Sequence, residues 1–212
     1  MVKPLGFSYP SKEPPVELWG SGKNITRRDM IRVMDEIVYP WQYQTEVLLQ
    51  DGTSYLVRPI RAEDTAPWIV FVDSLSQQTR FLRFHFFPGT MTEADALHFC
   101  TVDYDDSFAL VAEISTDGQR QIMAIARYYR LSPRDHAEMA IVVADAYQRR
   151  GVGTRLFNQL VVAARDQGIT AFTAEVLVQN QVMLDVFRGS GYPLSITMQA
   201  GVYSVVISLG AK

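Results

Sequence analysis

The sequence predicts an α/β (α+β) fold, a mixed and mostly antiparallel central sheet flanked by helices. Three observations carry this. Asp51-Gly52, Asp117-Gly118 and Ala200-Gly201 each separate two strand-like runs, the mark of antiparallel hairpins. One strand leads through a glycine-rich turn straight into an amphipathic helix, at Ala137–Ala144, Gln148-Arg149-Arg150-Gly151-Val152-Gly153 and beyond. The coarse order is a β-rich opening, two or three helices, then β-β-β-α-β-α-β-β, which layers helices on a sheet.

Residues 1 to about 44 read as an extension. Pro4, Pro10, Pro14 and Pro15 with Gly6, Gly20 and Gly22 suggest an extended arm. Within it Thr26 to Val38 predicts a short helix, capped by Thr26, with Ile31, Met34, Ile37 and Val38 as an apolar stripe. Trp19, Tyr39, Trp41 and Tyr43 give the arm aromatics that should pack on its own domain or on a second subunit.

The domain proper is expected over 45–212. Thr45–Gln50 and Thr53–Ile60 form the first hairpin, and Glu63 to Ser74 a helix that tolerates Pro67 in its first turn. Ser76 to Phe86 is rich in aromatics and arginine. It lines a substrate cleft, or Phe81, Leu82 and Phe84 are core and the arginines solvated. Thr92 to Val102 predicts a helix with Leu97, Phe99 and Cys100 inward. Ser107–Ser115 and Gln119–Arg130 pair next. The run Phe108-Ala109-Leu110-Val111-Ala112 calls for a strand buried on both faces. After the central strand, Val152, Leu156, Leu160, Val161 and Ala164 share one helical face, and Gly168 stops that helix. Ala171–Val178 is a strand and Asn180 to Arg188 a helix. Ser195–Gln199 with Tyr203–Leu209 closes the chain. No internal repeat is found.

Composition narrows the function. The chain has 212 residues, 48% of them hydrophobic, which is enough for one domain with a core plus an extension. A net charge of -3 argues against a nucleic-acid binder. The single cysteine, Cys100, excludes an intrachain disulfide and is expected to be a buried, inert thiol rather than a nucleophile. No apolar run reaches membrane-spanning length and no secretory h-region opens the sequence, so a soluble cytoplasmic protein is expected, without membrane contact.

The turn at 148–153 points to an anion. Its two glycines permit unusual backbone angles and close approach. The first helical turn leaves N–H groups unpaired at the positive end of the dipole, and Arg149 and Arg150 add charge. Walker and dinucleotide loops are excluded, because neither Gly-Lys-Ser/Thr nor a third glycine follows in register.

Gln148-x-x-Gly151-x-Gly153 at a strand-to-helix turn resembles the acetyl-CoA signature of the GNAT superfamily of N-acetyltransferases. Arg58-Pro59-Ile60-Arg61-Ala62-Glu63-Asp64 is similar to the opening of GNAT domains. Asn180 with Met183, Phe187 and Gly191-Tyr192 is similar to their later helix motif. The likeness covers roughly residues 45 to 210. Asp103-Tyr104-Asp105, Phe108–Ala112, Ala124-Ile125-Ala126-Arg127, Ala137-Glu138-Met139-Ala140, Val176-Leu177-x-x-Asn180 and Arg80-Phe81 to Phe84 look narrower still, like the catalytic domain of bacterial Pat-type protein lysine acetyltransferases. That domain is usually fused to a cyclic-nucleotide or acyl-CoA-synthetase-like domain, and neither is found in these 212 residues.

The resemblance implies acetyl-CoA as co-substrate, no metal, and an amine acceptor, either a protein lysine or a small amine, in a monomer or homodimer. An attacking ammonium must first lose a proton, and Glu138, a charge in an apolar strand, is the candidate base. The plainer reading pairs Glu138 with Arg127 or Arg134. His136, on the same side of the strand, is the reserve base. By resemblance, the strand around Val142 and Val143 supplies the pantetheine bonds and the oxyanion donor. The turn Gln148, Arg149, Arg150, Gly151, Val152, Gly153 and Thr154 holds the pyrophosphate. Asn180 binds the pantetheine arm, caps its helix, or does both. Phe187 stands in the cofactor set where many relatives carry a proton-donating tyrosine, a role a phenyl ring cannot fill. A non-catalytic acyl-CoA module is the alternative outside enzymes. A phosphotransferase is disfavoured because no carboxylate pair accompanies the glycines.

Overall fold

The computed structural model describes residues 38–84, 92–116 and 118–210. The expected helix at Thr26–Val38 lies outside them except for its last residue, as do Trp19, His85, Phe86 and Asp117. The sheet belongs to a compact unit, Tyr39–Lys212. The last aromatics of the arm pack on this unit itself. Tyr39 donates to the Pro59 carbonyl at 2.8 Å, Tyr43 reaches Asp166 at 3.1 Å, and its ring meets Phe108 edge-on.

Eight strands form one sheet: β1 (Thr45–Leu48), β2 (Ser54–Pro59), β3 (Ser107–Thr116), β4 (Gln119–Arg130), β5 (His136–Val143), β6 (Ala171–Leu177), β7 (Leu194–Gln199) and β8 (Val202–Ser208). Their spatial order is β1-β2-β3-β4-β5-β6-β8-β7. Short turns join β1 to β2, β3 to β4, β4 to β5 and β7 to β8, while β2–β3 and β6–β8 are antiparallel pairs joined through helices. β5 and β6 are parallel, since the connection between them is a helix, the crossover that parallel strands require. The mixed, mostly antiparallel sheet is as the sequence predicts.

Among the described residues, five α-helices cover it. α1 (Thr65–Ser74), α2 (Gln77–Phe84) and α3 (Glu93–Cys100) lie on one face, α4 (Val152–Asp166) and α5 (Gln181–Arg188) on the other. The α4 stripe is the expected one, with Val152, Leu156, Leu160, Val161 and Ala164 all buried. α1 starts later than expected, because a 3-10 turn occupies Ala62–Asp64. In α3, Thr92 accepts from the Asp95 amide at 3.1 Å and caps the helix. The inward set there is corrected. Ala96, Phe99 and Cys100 are buried at the i, i+3, i+4 spacing, and Leu97, a quarter-turn off that face, is 44% exposed. Of Phe81, Leu82 and Phe84, Phe84 alone is buried.

A buried charge cluster ties the opening strands to α1. Arg58, 3% exposed, donates to both carboxylate oxygens of Asp64 at 2.6 and 2.7 Å and to Glu113 at 2.6 Å. Burial works against the charged guanidinium, but the bonds and charges of Asp64 and Glu113 outweigh it and hold Arg58 above the ordinary arginine value.

Candidate active site

The site grows out of a mismatch in strand lengths. β5 pairs with β4 all the way to Val143↔Ala124. Against β6 it pairs only at His136↔Ala171, Ala137↔Phe172 and Glu138↔Thr173. From there the two parallel strands diverge and a wedge opens. Ala144 donates to Met123 and Leu131 to His136, which fixes the alternation. Ala140 and Val142 therefore turn their backbone groups to β4, while Ile141 and Val143 turn theirs to the wedge, with no β6 partner. Val143 can offer its N–H there, but that of Val142 belongs to the β4 ladder.

Side chains alternate the other way. Ala137 and Met139 enter the α4–α5 core, so Glu138 projects from the α1–α3 face, opposite Tyr129 and Thr173. Glu138 is half-buried, and no hydrogen bond or ion pair within the described residues holds its carboxylate. Burial first and the charge of Glu175 second raise its pKa above the usual glutamate range, against a smaller pull from Arg83. The structural partners considered for it are engaged elsewhere. Arg127, 4% exposed, donates to the Phe99 carbonyl at 2.5 Å and to Tyr129 at 2.7 Å. Arg134 pairs with Asp105 at 3.2 Å and Asp106 at 2.5 Å. His136 sits on the same face with its ring nitrogen 3.0 Å from Asp135.

At the wide end of the wedge stands the glycine turn. Gly151 caps α4 at φ 83°, a left-handed conformation that costs other residues about 1–2 kcal/mol. Arg155 donates to the Gly151 carbonyl at 3.0 Å, which leaves the amides of Val152, Gly153 and Thr154 without intrahelical acceptors. A methyl group on Gly153 would meet Val143 at an ordinary 3.5 Å, so the protein itself does not demand glycine there. A free helix start beside a free strand edge fits a ligand with a diphosphate and an extended amide arm. The two arginines differ. Arg149 is exposed, whereas Arg150 is ion-paired to Asp51 and lies 5.7 Å from the Tyr147 ring centre.

Sequence reasoning missed a clamp in this region. Asp145 accepts from the Ser76 amide at 3.0 Å, the Ser76 hydroxyl at 2.7 Å and Thr79 at 2.8 Å. Burial opposes its charge, yet these bonds win and hold the carboxyl below the usual aspartate range. Gln148 donates to Thr79 and to the Val143 carbonyl, both at 3.1 Å. The side chain of Gln148 thus braces the turn against α2. Ser76-x-x-Thr79 at a helix start was the available signal.

Asn180 accepts from the Met183 amide at 3.3 Å and caps α5. Phe187 is 1% exposed and packs 5.7 Å from Phe157 in the core. Cys100 is fully buried, and burial above all pushes its thiol up to about 12, as an inert cysteine should be. No described helix is long and apolar enough to cross a membrane.

Comparison with known proteins agrees with this geometry. The model of the acetyltransferase (GNAT) family matches residues 73–192. An acetyltransferase of Pseudomonas aeruginosa is 31% identical over 147 residues, 68% of this chain and 77% of that protein. The acetyltransferase Pat of Mycolicibacterium smegmatis is 31% identical over 146 residues, 68% of this chain but 43% of its own length. The crystal structure of the GNAT domain of S. lividans PAT superposes with a TM-score of 0.73 at 31% identity, covering 81% of this chain and 99% of that one. The family match and the relatives at 31% identity place the chain in the GNAT acetyltransferase family. Within it, the chain is similar to Pat-type enzymes.

Proposed function

We propose that the chain transfers the acetyl group of acetyl-CoA to a protein lysine side chain, with Glu138 as general base. The observation that supports this best is a half-buried carboxylate, with no hydrogen bond or ion pair among the described residues, at the last residue of β5 paired with β6, on a strand whose free edge runs toward the glycine turn. The Pat-type relatives favour lysine as the acceptor.

In this reading the amides of Val152, Gly153 and Thr154 bind the diphosphate, and the wedge-facing backbone of Ile141 and Val143 binds the pantetheine arm. Asn180 stands at the start of α5, beside the end of β6. The acceptor arrives as an ammonium. Glu138 takes one of its protons, directly or through a water, and the freed lone pair attacks the thioester carbon. A wedge-facing N–H stabilises the oxyanion as the C–N bond forms. The C–S bond then breaks, CoA leaves as a thiolate, and the second proton of the former amine nitrogen passes to that thiolate or to water, which leaves the neutral amide. A thiolate is a fair leaving group and departs without a proton donor, so the buried phenyl of Phe187 is no obstacle.

The test is incubation of the purified protein with labelled acetyl-CoA, separately with cell lysate and with a panel of small amines. Label in lysate protein at lysine is the expected result. Label only in small amines would move the acceptor to metabolites. CoA binding with no label anywhere would make the chain a non-catalytic module.

A further inference from the structure

The face that carries Glu138 carries a second carboxylate. Phe172, Ala174 and Val176 of β6 enter the α4–α5 core, so Thr173 and Glu175 project from the opposite face. The register sets Thr173 beside Glu138, and Glu175 is the next residue of that face, about 6.6 Å further along the strand. There β5 has already diverged. Glu175 is exposed, its cross-strand neighbour on β8 is the neutral Ser204, and no ion pair among the described residues engages it. The groups facing Glu138 are Tyr129 on β4, His136 on β5, Glu175 on β6 and Arg83 on α2.

We propose that Glu175 is the docking group for the acceptor's ammonium, taking the cation at the open mouth of the wedge and setting its nitrogen beside Glu138. The inference rests on the acetyl-transfer reading above. An aliphatic amine reaches the site as a cation, and Glu138 alone would have to attract it and then deprotonate it. A second carboxylate one step away, exposed at the mouth, concentrates cations there. The proton passes from the ammonium to Glu138; Glu175 exchanges none. The seat selects aliphatic amines such as lysine over hydroxyls and over acceptors that carry an acid next to the amine.

The measurement is steady-state CoA release with acetyl-CoA and poly-L-lysine, for wild type, Glu175→Gln and Glu175→Asp. In Glu175→Gln the KM for poly-L-lysine should rise about five- to tenfold, the scale of a charge-assisted contact at a partly hydrated site. The KM for acetyl-CoA should stay unchanged, and Glu175→Asp should recover part of the loss. The acid limb of the pH–rate profile should move to lower pH in Glu175→Gln, because one negative neighbour of Glu138 is gone. An unchanged poly-L-lysine KM, or equal rises in both KM values, overturns the docking role. If wild type releases no CoA with either poly-L-lysine or lysate protein, the transfer reading fails and this inference with it. A silent Glu138→Gln alongside a raised acceptor KM in Glu175→Gln would remove the base and leave the docking group standing.

Discussion

Glu113 and Glu138 occupy strands of the same sheet and are treated in opposite ways. Glu113 is buried with its charge answered, at 2.6 Å from Arg58 and 3.8 Å from Arg120, in a cluster completed by Asp64. Glu138 is half-buried with no hydrogen bond or ion pair among the described residues, at the point where β6 leaves β5. Desolvating a carboxylate costs several kcal/mol unless a partner offsets it. The first cluster offsets that cost and fastens β2, β3 and the start of α1 together. The second site leaves the cost standing, and what it retains is a carboxylate with raised proton affinity facing an open wedge. The compensated charge serves the fold, and the uncompensated one is the carboxylate to which the base role is proposed.

The sharpest way to break this contrast is to neutralise each acid and measure both rate and stability. Glu138→Gln should lower kcat by about 10²- to 10⁴-fold, the range of a positioned general base. Acetyl-CoA affinity by calorimetry should stay near wild type, and the variant should be no less stable in urea than wild type. Undiminished turnover in this variant would mean that Glu138 is not the base. Asp64→Asn should do the reverse. It removes one answer to the buried Arg58 charge and should cost about 3–5 kcal/mol of unfolding free energy, the penalty for breaking a buried pair. A urea midpoint close to wild type would show that Glu113 alone compensates Arg58.

The contrast also has a sign in pH. The folded pKa of Glu138 lies above its unfolded value, so in the interval between them the native state binds more protons than the unfolded chain. This group's contribution to stability therefore falls as pH rises through that interval, from just above the ordinary glutamate value upward. Below the interval both states are protonated and the penalty vanishes. Urea titrations of wild type and Glu138→Gln should coincide at the acid end and separate as pH rises, with the variant the more stable. Parallel curves would mean that Glu138 meets no penalty in the fold.

Much of the frame was legible in the sequence, because it is written in local signals. The hairpins at Asp51-Gly52 and Ala200-Gly201, the helical face from Val152 to Ala164, and the strand–turn–helix around Gly151 depend on residues close together in the chain. The glycine turn was legible for the same reason. What escaped depends on distant partners. The side of β5 to which Val142 points its amide follows from its register with β4. Phe187 stands in a motif that suggests a ligand contact, yet it packs on Phe157, thirty positions earlier. The Asp145 clamp joins residues 69 positions apart in sequence. The docking carboxylate Glu175 becomes noticeable only once the parallel pairing is seen to stop at Thr173.

A third kind of charge completes the comparison and carries the smallest expected effect. Arg150 answers Asp51 of the first hairpin, but both side chains are substantially exposed, at 34% and 53%. Water and salt screen such a pair, and holding two side chains in one geometry opposes it. It is compensated like the Arg58 cluster, yet little desolvation stands behind it, so removing a partner strands no buried charge. Asp51→Asn should therefore leave the urea midpoint within error and change the KM for acetyl-CoA by less than about fivefold. A larger rise in that KM would mean that Asp51 holds Arg150 in the orientation the diphosphate needs, and a pair at the surface would then belong with the chemical charges. A larger fall would mean that Asp51 withholds Arg150 from the diphosphate, making the hairpin a brake on acetyl-CoA binding. With neither change, exposure alone separates this pair from the other two sites, and burial remains the variable that decides what a charge in this sheet is worth.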